Sequence, residues 1–186
     1  MKLLLPLPFL LLAACGTDPR YAMEPELPAA TAKVTRVRVA TLEVKEVSMP
    51  AYVEDSAIML EDGKGALNPV KGATWADEPT RAATLLLSDE IDRISTATAA
   101  AEPWPLETPA QAAVEVRVTE MVARATGTFD LKGQYAISSY DRIVRERIQR
   151  FAISVPLTDT KAPAIAEASG RALRQLAAQI TADLAR

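Results

Sequence analysis

Histidine is absent from this sequence of 186 residues, and Cys15 is its only cysteine. The lack of histidine excludes Ser-His-Asp and Cys-His nucleophilic sites and removes the commonest ligand of transition metals. A strong excess of one charge is also lacking, because 21 basic residues face 24 acidic ones. A nucleic-acid partner is therefore not expected. These absences predict a protein that is not an enzyme, with no catalytic residues, no metal site and no bound cofactor.

The first fifteen residues have the pattern of an export signal. Lys2 is followed by an apolar run from Leu3 to Leu12, which is too short to span a bilayer. Leu12-Ala13-Ala14-Cys15 looks like a bacterial lipobox, in which small residues precede the cysteine. In such proteins the leader, here residues 1–14, is removed and the cysteine carries an N-acyl diacylglycerol. We predict Cys15 as the lipidation site, with an ordinary cleaved signal and a chance cysteine as the alternative.

Residues 15–33 contain three prolines and no apolar period, which is typical of a flexible tether. Fully stretched, such a segment would reach roughly 50–60 Å, so the folded body would stand off the membrane. Gly16 follows the cysteine in place of the aspartate that retains many lipoproteins at the inner membrane. The sequence therefore favours the periplasmic face of the outer membrane, and residues 34–186 are expected to form the folded domain.

The first part of this domain has strand patterns. Valine and threonine are frequent from Val34 to Val47, with a change of parity near Ala40-Thr41 that predicts a bulge or break. Met49-Pro50-Ala51-Tyr52-Val53 is expected to end this strand in a turn, since proline donates no ladder hydrogen bond. A short hairpin is then predicted around Asp62-Gly63-Lys64-Gly65.

Helical patterns follow in two places. Trp75-Ala76-Asp77-Glu78-Pro79 is expected to begin a central helix that is capped by Asp77 and stops near Thr98. The second helix is long and lies at the C-terminus, where apolar residues recur at helical spacing from Ile165 to Leu184. Its polar face is not strongly basic, so packing on a sheet is favoured over lying on a membrane.

Three strands are predicted between the helices. Val114–Val118 and Phe129–Ile137 alternate apolar and polar residues, and Thr126-Gly127 suits the hairpin turn between them. Residues 141–155 fit either a helix or a third strand, and we favour a strand because the second one needs a partner. The predicted fold is thus a single α+β domain, in which a central helix and a long C-terminal helix pack on a mixed or antiparallel sheet.

This order of elements resembles the ABC-type transport auxiliary lipoproteins, the PqiC-like (YmbA-like) family. The resemblance covers residues 34–185 and rests on the signal and tether, on Met49-Pro50-Ala51-Tyr52-Val53, on Trp75-Ala76-Asp77-Glu78-Pro79, and on the meander with its final helix. It implies a non-catalytic role on the periplasmic side of lipid-transport machines built from an ABC ATPase, a permease and Mce-domain proteins. The implied partner is the Mce-domain protein, and a homo-oligomer is left open.

Three aromatic residues are candidate partner contacts: Trp104, Trp75 and Tyr52. For Tyr52 a turn whose ring plugs the edge of the core is favoured over a contact, and for Trp75 packing against the sheet is favoured. Trp104 lies between two prolines in Glu102-Pro103-Trp104-Pro105, so it is the strongest candidate for an exposed contact.

Two functions compete with that of a transport accessory. One is an independent periplasmic lipid carrier or chaperone, which would need an apolar cavity large enough for an acyl chain. The other is a structural outer-membrane lipoprotein with no link to transport. The acidic pairs Glu61-Asp62 and Asp77-Glu78 are expected to serve a turn and a helix start, and not catalysis or calcium binding.

Overall fold

Eight strands and three helices make up the part of the chain that the computed structural model describes, residues 19–23 and 34–186. In chain order they are β1 (Arg20–Tyr21), β2 (Thr41–Val44), α1 (Ala51–Glu54), β3 (Ala57–Glu61), β4 (Leu67–Trp75), α2 (Pro79–Ile94), β5 (Thr98–Ala101), β6 (Ala112–Arg124), β7 (Thr128–Ser138), β8 (Arg147–Pro156) and α3 (Ala162–Leu184).

Strand β6 is the centre of one mixed sheet. On one side it pairs antiparallel with β7, which pairs antiparallel with β8. On the other side its first three residues pair parallel with β2, which pairs in turn with β5. Its last two residues pair parallel with β3, which is followed in the sheet by β4 and β1. Because β6 is 13 residues long, it holds both smaller groups of strands at its two ends.

The core lies between one face of this sheet and the helices α2 and α3. The alternating apolar residues of β6 and β7 point inward, so Val114, Val116, Phe129 and Leu131 are all buried. The apolar stripe of α3 is buried against β7, β8 and α2, and Leu173, Leu176 and Ile180 among others are fully enclosed. The apolar residues that recur every second position in the strands and every 3.6 positions in the helix are therefore buried in the same core.

The C-terminal end of α3 is fixed to the sheet by polar contacts. The Tyr135 hydroxyl on β7 donates a hydrogen bond of 2.7 Å to Asp183 Oδ2, and the guanidinium of Arg147 on β8 lies 3.3 Å from Asp183 Oδ1. Burial, followed by this contact with the carboxylate, raises the pKa of Tyr135 well above its ordinary value. The tyrosine therefore stays protonated and keeps donating to Asp183.

The predicted fold class is confirmed, as are the hairpin β3–β4, the meander β6–β7–β8 and the long final helix. Arg147–Pro156 is a strand, as favoured over the helical alternative. Gly127 has a φ of 94°, which explains why the tight turn between β6 and β7 contains glycine.

Several boundaries were predicted wrongly. Within residues 34–47 only Thr41–Val44 form a strand, and the expected turn at Pro50 begins the short helix α1. Helix α2 ends at Ile94 and not near Thr98, because Thr98–Ala101 pair with β2 as strand β5. Asp77 does not cap α2: the N-cap residue is Glu78, without a side-chain cap, and Asp77 forms an ion pair with Arg81.

The largest difference concerns the predicted tether. Arg20–Tyr21 pair with β4, and Met23 is only 3% exposed within the core. Residues 19–23 therefore belong to the folded domain and not to a free linker. Cys15, the leader and residues 24–33 lie outside the described residues.

Leu176→Asp tests whether α3 packs on the sheet. The substitution places an unpaired carboxylate at a position with no exposure, at a cost of several kcal/mol that approaches the whole stability of a domain. We expect loss of the cooperative thermal transition in circular dichroism. Gln175→Asp adds the same charge at the exposed neighbouring position and should melt within a few degrees of the wild type. Equal melting of both variants would contradict the packing.

Candidate docking site

The loop that contains Trp104 is an apolar surface at the edge of the sheet. This segment, residues 102–111, is called the Trp104 loop and connects β5 with β6. Trp104 is half-buried, and its Nε1–H donates a hydrogen bond of 2.8 Å to the carbonyl of Thr108 within the same loop. Leu106 is 56% exposed, and Pro103 and Pro105 are exposed beside it. The loop thus presents apolar groups in a folded conformation.

Polar contacts fix the first residue of this loop. The Glu102 carboxylate accepts a hydrogen bond of 3.1 Å from the backbone N–H of Glu46 and lies 3.2 Å from the ammonium of Lys45. The hydrogen bond from Glu46, followed by the one from Lys45, holds the pKa of Glu102 below its ordinary value. Glu102 is therefore ionised at neutral pH and ties the loop to the segment after β2.

The last residue of the loop is fixed equally well. Gln111 Oε1 accepts a hydrogen bond of 2.7 Å from the Ala40 N–H, and the Gln111 N–H donates one of 2.9 Å to Thr41 Oγ1. Since both ends are bound to the sheet, the apolar side chains between them are held in place. A preformed surface of this kind loses little conformational freedom when it binds a partner.

The other two aromatic candidates lie in different surroundings. Trp75, at the end of β4, is 6% exposed and packs in the core, so its indole offers little surface to a partner. Tyr52 on α1 is half-buried, and its hydroxyl accepts a hydrogen bond of 3.1 Å from the Met121 N–H at the edge of β6. Both positions agree with the packing interpretations given for them. The structure does not bring the three aromatic residues together into one site.

The acidic pairs serve local structure. The Glu61 carboxylate accepts a hydrogen bond of 2.6 Å from the Gly65 N–H, and Asp62 Oδ1 accepts one of 2.8 Å from the Lys64 N–H. Both bonds close the β3–β4 turn. Asp77 accepts a hydrogen bond of 2.9 Å from the Glu78 N–H at the start of α2. Among residues 19–23 and 34–186, no group of three or more acidic or cysteine side chains is arranged to hold a metal ion.

A buried ion-pair cluster on the outer face of the sheet was not foreseen. Arg124 Nε donates a hydrogen bond of 2.6 Å to Asp130 Oδ2, and Ser154 Oγ donates one of 2.7 Å to Asp130 Oδ1. Arg124 also pairs with Glu120 on its own strand. Burial by itself would raise the pKa of Asp130, but the bonds from Arg124 and Ser154 together lower it. The cluster joins β6, β7 and β8.

The space between α3 and the sheet is too small for a lipid. The gap between α3 and the sheet, lined by Val53, Met121, Phe129 and Ile165 among others, is about 10 Å³. A larger cleft of about 180 Å³ lies between β1 and α2, beside Tyr21, Met23 and Leu85, and two grooves of about 460 Å³ each are wide open to solvent. Sites for small organic ligands measure about 300–1,000 Å³. None of the helices α1, α2 and α3 is long and apolar enough to cross a membrane.

Exposed apolar residues outside the Trp104 loop were also not singled out from the sequence. Tyr140 is 81% exposed in the β7–β8 connection, and Ile148 is 69% exposed on β8. Ile148 lies on the opposite parity from the buried residues Phe151, Ile153 and Val155, so the alternation of β8 already marks it as outward-facing. For Tyr140 the sequence holds no comparable signal.

Solved structures share this architecture. A crystal structure of a protein from Xanthomonas campestris is 16% identical, with a TM-score of 0.64, and the match covers 87% of this chain and 92% of that one. A crystal structure of an uncharacterized protein is 14% identical, with a TM-score of 0.62 and coverage of 82% and 98%. At these identities the likeness establishes the fold. No curated protein matches the chain.

The fold is that of a single α+β domain with a mixed sheet and a long C-terminal helix. The model of one family, described as the ABC-type transport auxiliary lipoprotein component, matches residues 21–181. The chain belongs to this family. The match begins at Tyr21, the second residue of β1, and so reaches into the segment that was predicted to be a tether.

Asp130→Asn tests the ion-pair cluster through pH. Because the pKa of Asp130 is lowered in the folded state, its contribution is present above the unfolded value and is lost as the pH falls through the folded value. We expect the variant to be less stable by about 1–3 kcal/mol at pH 7, and this difference should shrink below about pH 4. Urea unfolding at several pH values measures it. Glu107→Gln, at an exposed position, is the control, and a deficit independent of pH would contradict the assignment.

Proposed function

We propose that this protein is a lipid-anchored accessory component of an Mce-type ABC transport system, which moves lipids or other organic compounds across the bacterial envelope. The observation that carries the proposal is the match of the family model to residues 21–181. Acyl chains on Cys15 hold the protein at the periplasmic face of the outer membrane. The folded domain docks onto the Mce-domain protein and contacts the ATPase and permease only through it.

The Trp104 loop supports docking as the activity of the domain. It presents Trp104 and Leu106 at the sheet edge, and its ends are fixed by Glu102 and Gln111. Aromatic side chains dominate the free energy of many protein interfaces because they bury a large area with few rotatable bonds. We therefore propose Trp104 as the principal contact. Trp75 and Tyr52 support the fold from the core and from its edge.

An independent lipid carrier is the weaker proposal. A carrier encloses the apolar part of its cargo, whereas the gap between α3 and the sheet is about 10 Å³. The cleft of about 180 Å³ beside β1 is also below the usual range for a ligand of drug size. The filled core favours a docking protein.

Cys15→Ser tests the anchor. Serine offers no thiol for the diacylglycerol, so we expect loss of the acyl mass and release of the protein from membranes. The domain should remain folded, because residue 15 precedes Tyr21, the first core contact among the described residues. Ala14→Gly keeps a small residue before the cysteine and should fractionate like the wild type. A serine variant that stays fully on membranes would show that acylation is not the anchor.

Trp104→Ala tests the docking surface. Truncation of an aromatic hot spot costs about 2 kcal/mol or more, which corresponds to roughly 30-fold weaker binding. We expect this loss when an Mce-domain partner protein is titrated onto the chain, with little change in melting temperature. Ile148→Ala removes an exposed side chain from β8, at the other edge of the sheet, and is the matched control.

The outcomes separate the functions. A large drop in melting temperature would place Trp104 in the core and the contact elsewhere. If the wild type captures no Mce-domain protein after crosslinking in membranes, the transport function is wrong and a structural lipoprotein becomes the better account. Lipid recovered from the purified wild type would favour the carrier.

A further inference from the structure

Strand β1 attaches the chain to the domain only a few residues after Cys15. Arg20 and Tyr21 pair in parallel with Thr74 and Trp75 of β4. The Ala76 N–H donates a hydrogen bond of 2.8 Å to the Tyr21 carbonyl, and the Thr74 N–H donates one of 3.4 Å to the Pro19 carbonyl. Met23 is 3% exposed in the core, and Tyr21 packs against it. Backbone pairing and burial therefore act together to hold residues 19–23.

This attachment shortens the connection to the membrane. Only residues 16–18 separate Cys15 from Pro19, and four Cα-to-Cα steps span at most about 14 Å. A tether that ran freely to residue 34 would span roughly 60 Å by the same rule. We propose that β1 clamps the domain against the bilayer and that the β4 edge is its membrane-facing surface. The inference rests on the proposed function in that Cys15 carries the lipid.

The direction of β1 identifies the part of β4 that faces the bilayer. Since β1 runs parallel to β4 and pairs only with Thr74 and Trp75, the N-terminal end of β1 lies on the side of the first half of β4, residues 67–72. In the described part of the chain, no strand pairs with this half of β4 on the side away from β3.

The chemistry of this edge fits phospholipid headgroups. Lys71 on β4 and Lys64 in the preceding turn are both exposed, and neither ammonium has an ion-pair partner among the described residues. Lysine side chains reach along a surface with their methylenes and place the ammonium at the level of the phosphates. The occupant of the β4 edge is therefore the headgroup layer of the membrane that holds the anchor.

The opposite end of the sheet points away from the bilayer. Strand β3, the neighbour of β4, pairs with Ala123 and Arg124 at the end of β6, whereas Ala113 at its start pairs with Ser138, just before Tyr140. The ten residue-to-residue steps along β6 from Ala113 to Ala123 extend for about 33 Å. The Trp104 loop also ends at Gln111, beside the start of β6. The clamp therefore directs the proposed docking surface toward the periplasm.

A depth measurement tests the clamp in the full-length acylated protein. Lys71→Cys and Tyr140→Cys are each labelled with a maleimide fluorophore, because the acylated Cys15 leaves the new thiol as the one that reacts. The proteins are placed in vesicles of phosphatidylethanolamine and phosphatidylglycerol that contain lipids with a nitroxide headgroup. We expect strong quenching of the label at position 71 and at least several-fold weaker quenching at position 140.

Two insertions separate a clamp from a general affinity for membranes. Ten glycine and serine residues between Thr17 and Asp18 lengthen the connection ahead of β1, and should bring the quenching at position 71 down to that at position 140. The same insertion between Pro28 and Ala29 lies after β1 and should leave the difference intact. If quenching at the two positions is equal in the protein without an insertion, or if both insertions act alike, the clamp is overturned.

The test also distinguishes this inference from the function on which it rests. Mass spectrometry reports the acyl group on Cys15, and capture of the Mce-domain protein reports docking. A protein without the acyl group would overturn both the anchor and the clamp. An acylated protein that captures its partner but shows equal quenching at positions 71 and 140 would overturn the clamp alone.

Discussion

The contact between α3 and the inner face of β7 and β8 is the interaction on which the rest of the structure depends. Small buried residues of α3, including Ala168, Ala172 and Ala177, allow the helix to lie close to the sheet, and Leu173 and Leu176 fill the space between them. The same helix supports α2, which covers β2 and β5. With one cysteine in the whole chain, no disulfide within it reinforces this arrangement. The core and a few polar contacts such as Tyr135–Asp183 carry the stability.

Long periodic segments were predictable from the sequence, and short strands were not. The alternation in β6, β7 and β8 and the stripe of α3 reflect burial of one face, which local sequence records directly. Strand β5 is Thr98–Ala101, whose alanines favour a helix by intrinsic propensity. Its strand conformation comes from pairing with β2. Likewise, β1 is two residues long in a proline-rich context, and only its partner Thr74–Trp75 defines it.

The candidate site shows the same limit. The prolines around Trp104 predict a loop, and a loop is found, but its apolar neighbour Leu106 and the contacts of Glu102 and Gln111 depend on residues distant in sequence. The pairing of Arg124 with Asp130 likewise needs the register of β6 against β7. By contrast, the roles of Asp62 and Asp77 are local, because each accepts a hydrogen bond from a residue one or two positions away. Such bonds are implied by turn and helix-start chemistry.

The proposed short connection between Cys15 and β1 has a consequence for the proposed docking to a partner. A domain on a long flexible tether samples a large volume, so its docking surface meets a fixed partner at low effective concentration. The proposed attachment at β1 would reduce that volume. Strands β3, β6 and β7 are hydrogen-bonded in one sheet, and because a packed sheet deforms little, fixing one end of it also restricts the movement of the other end. The Trp104 loop is fixed at both ends to the same sheet. The proposed anchor at Cys15 would therefore limit both the height and the orientation at which the proposed docking surface meets a partner.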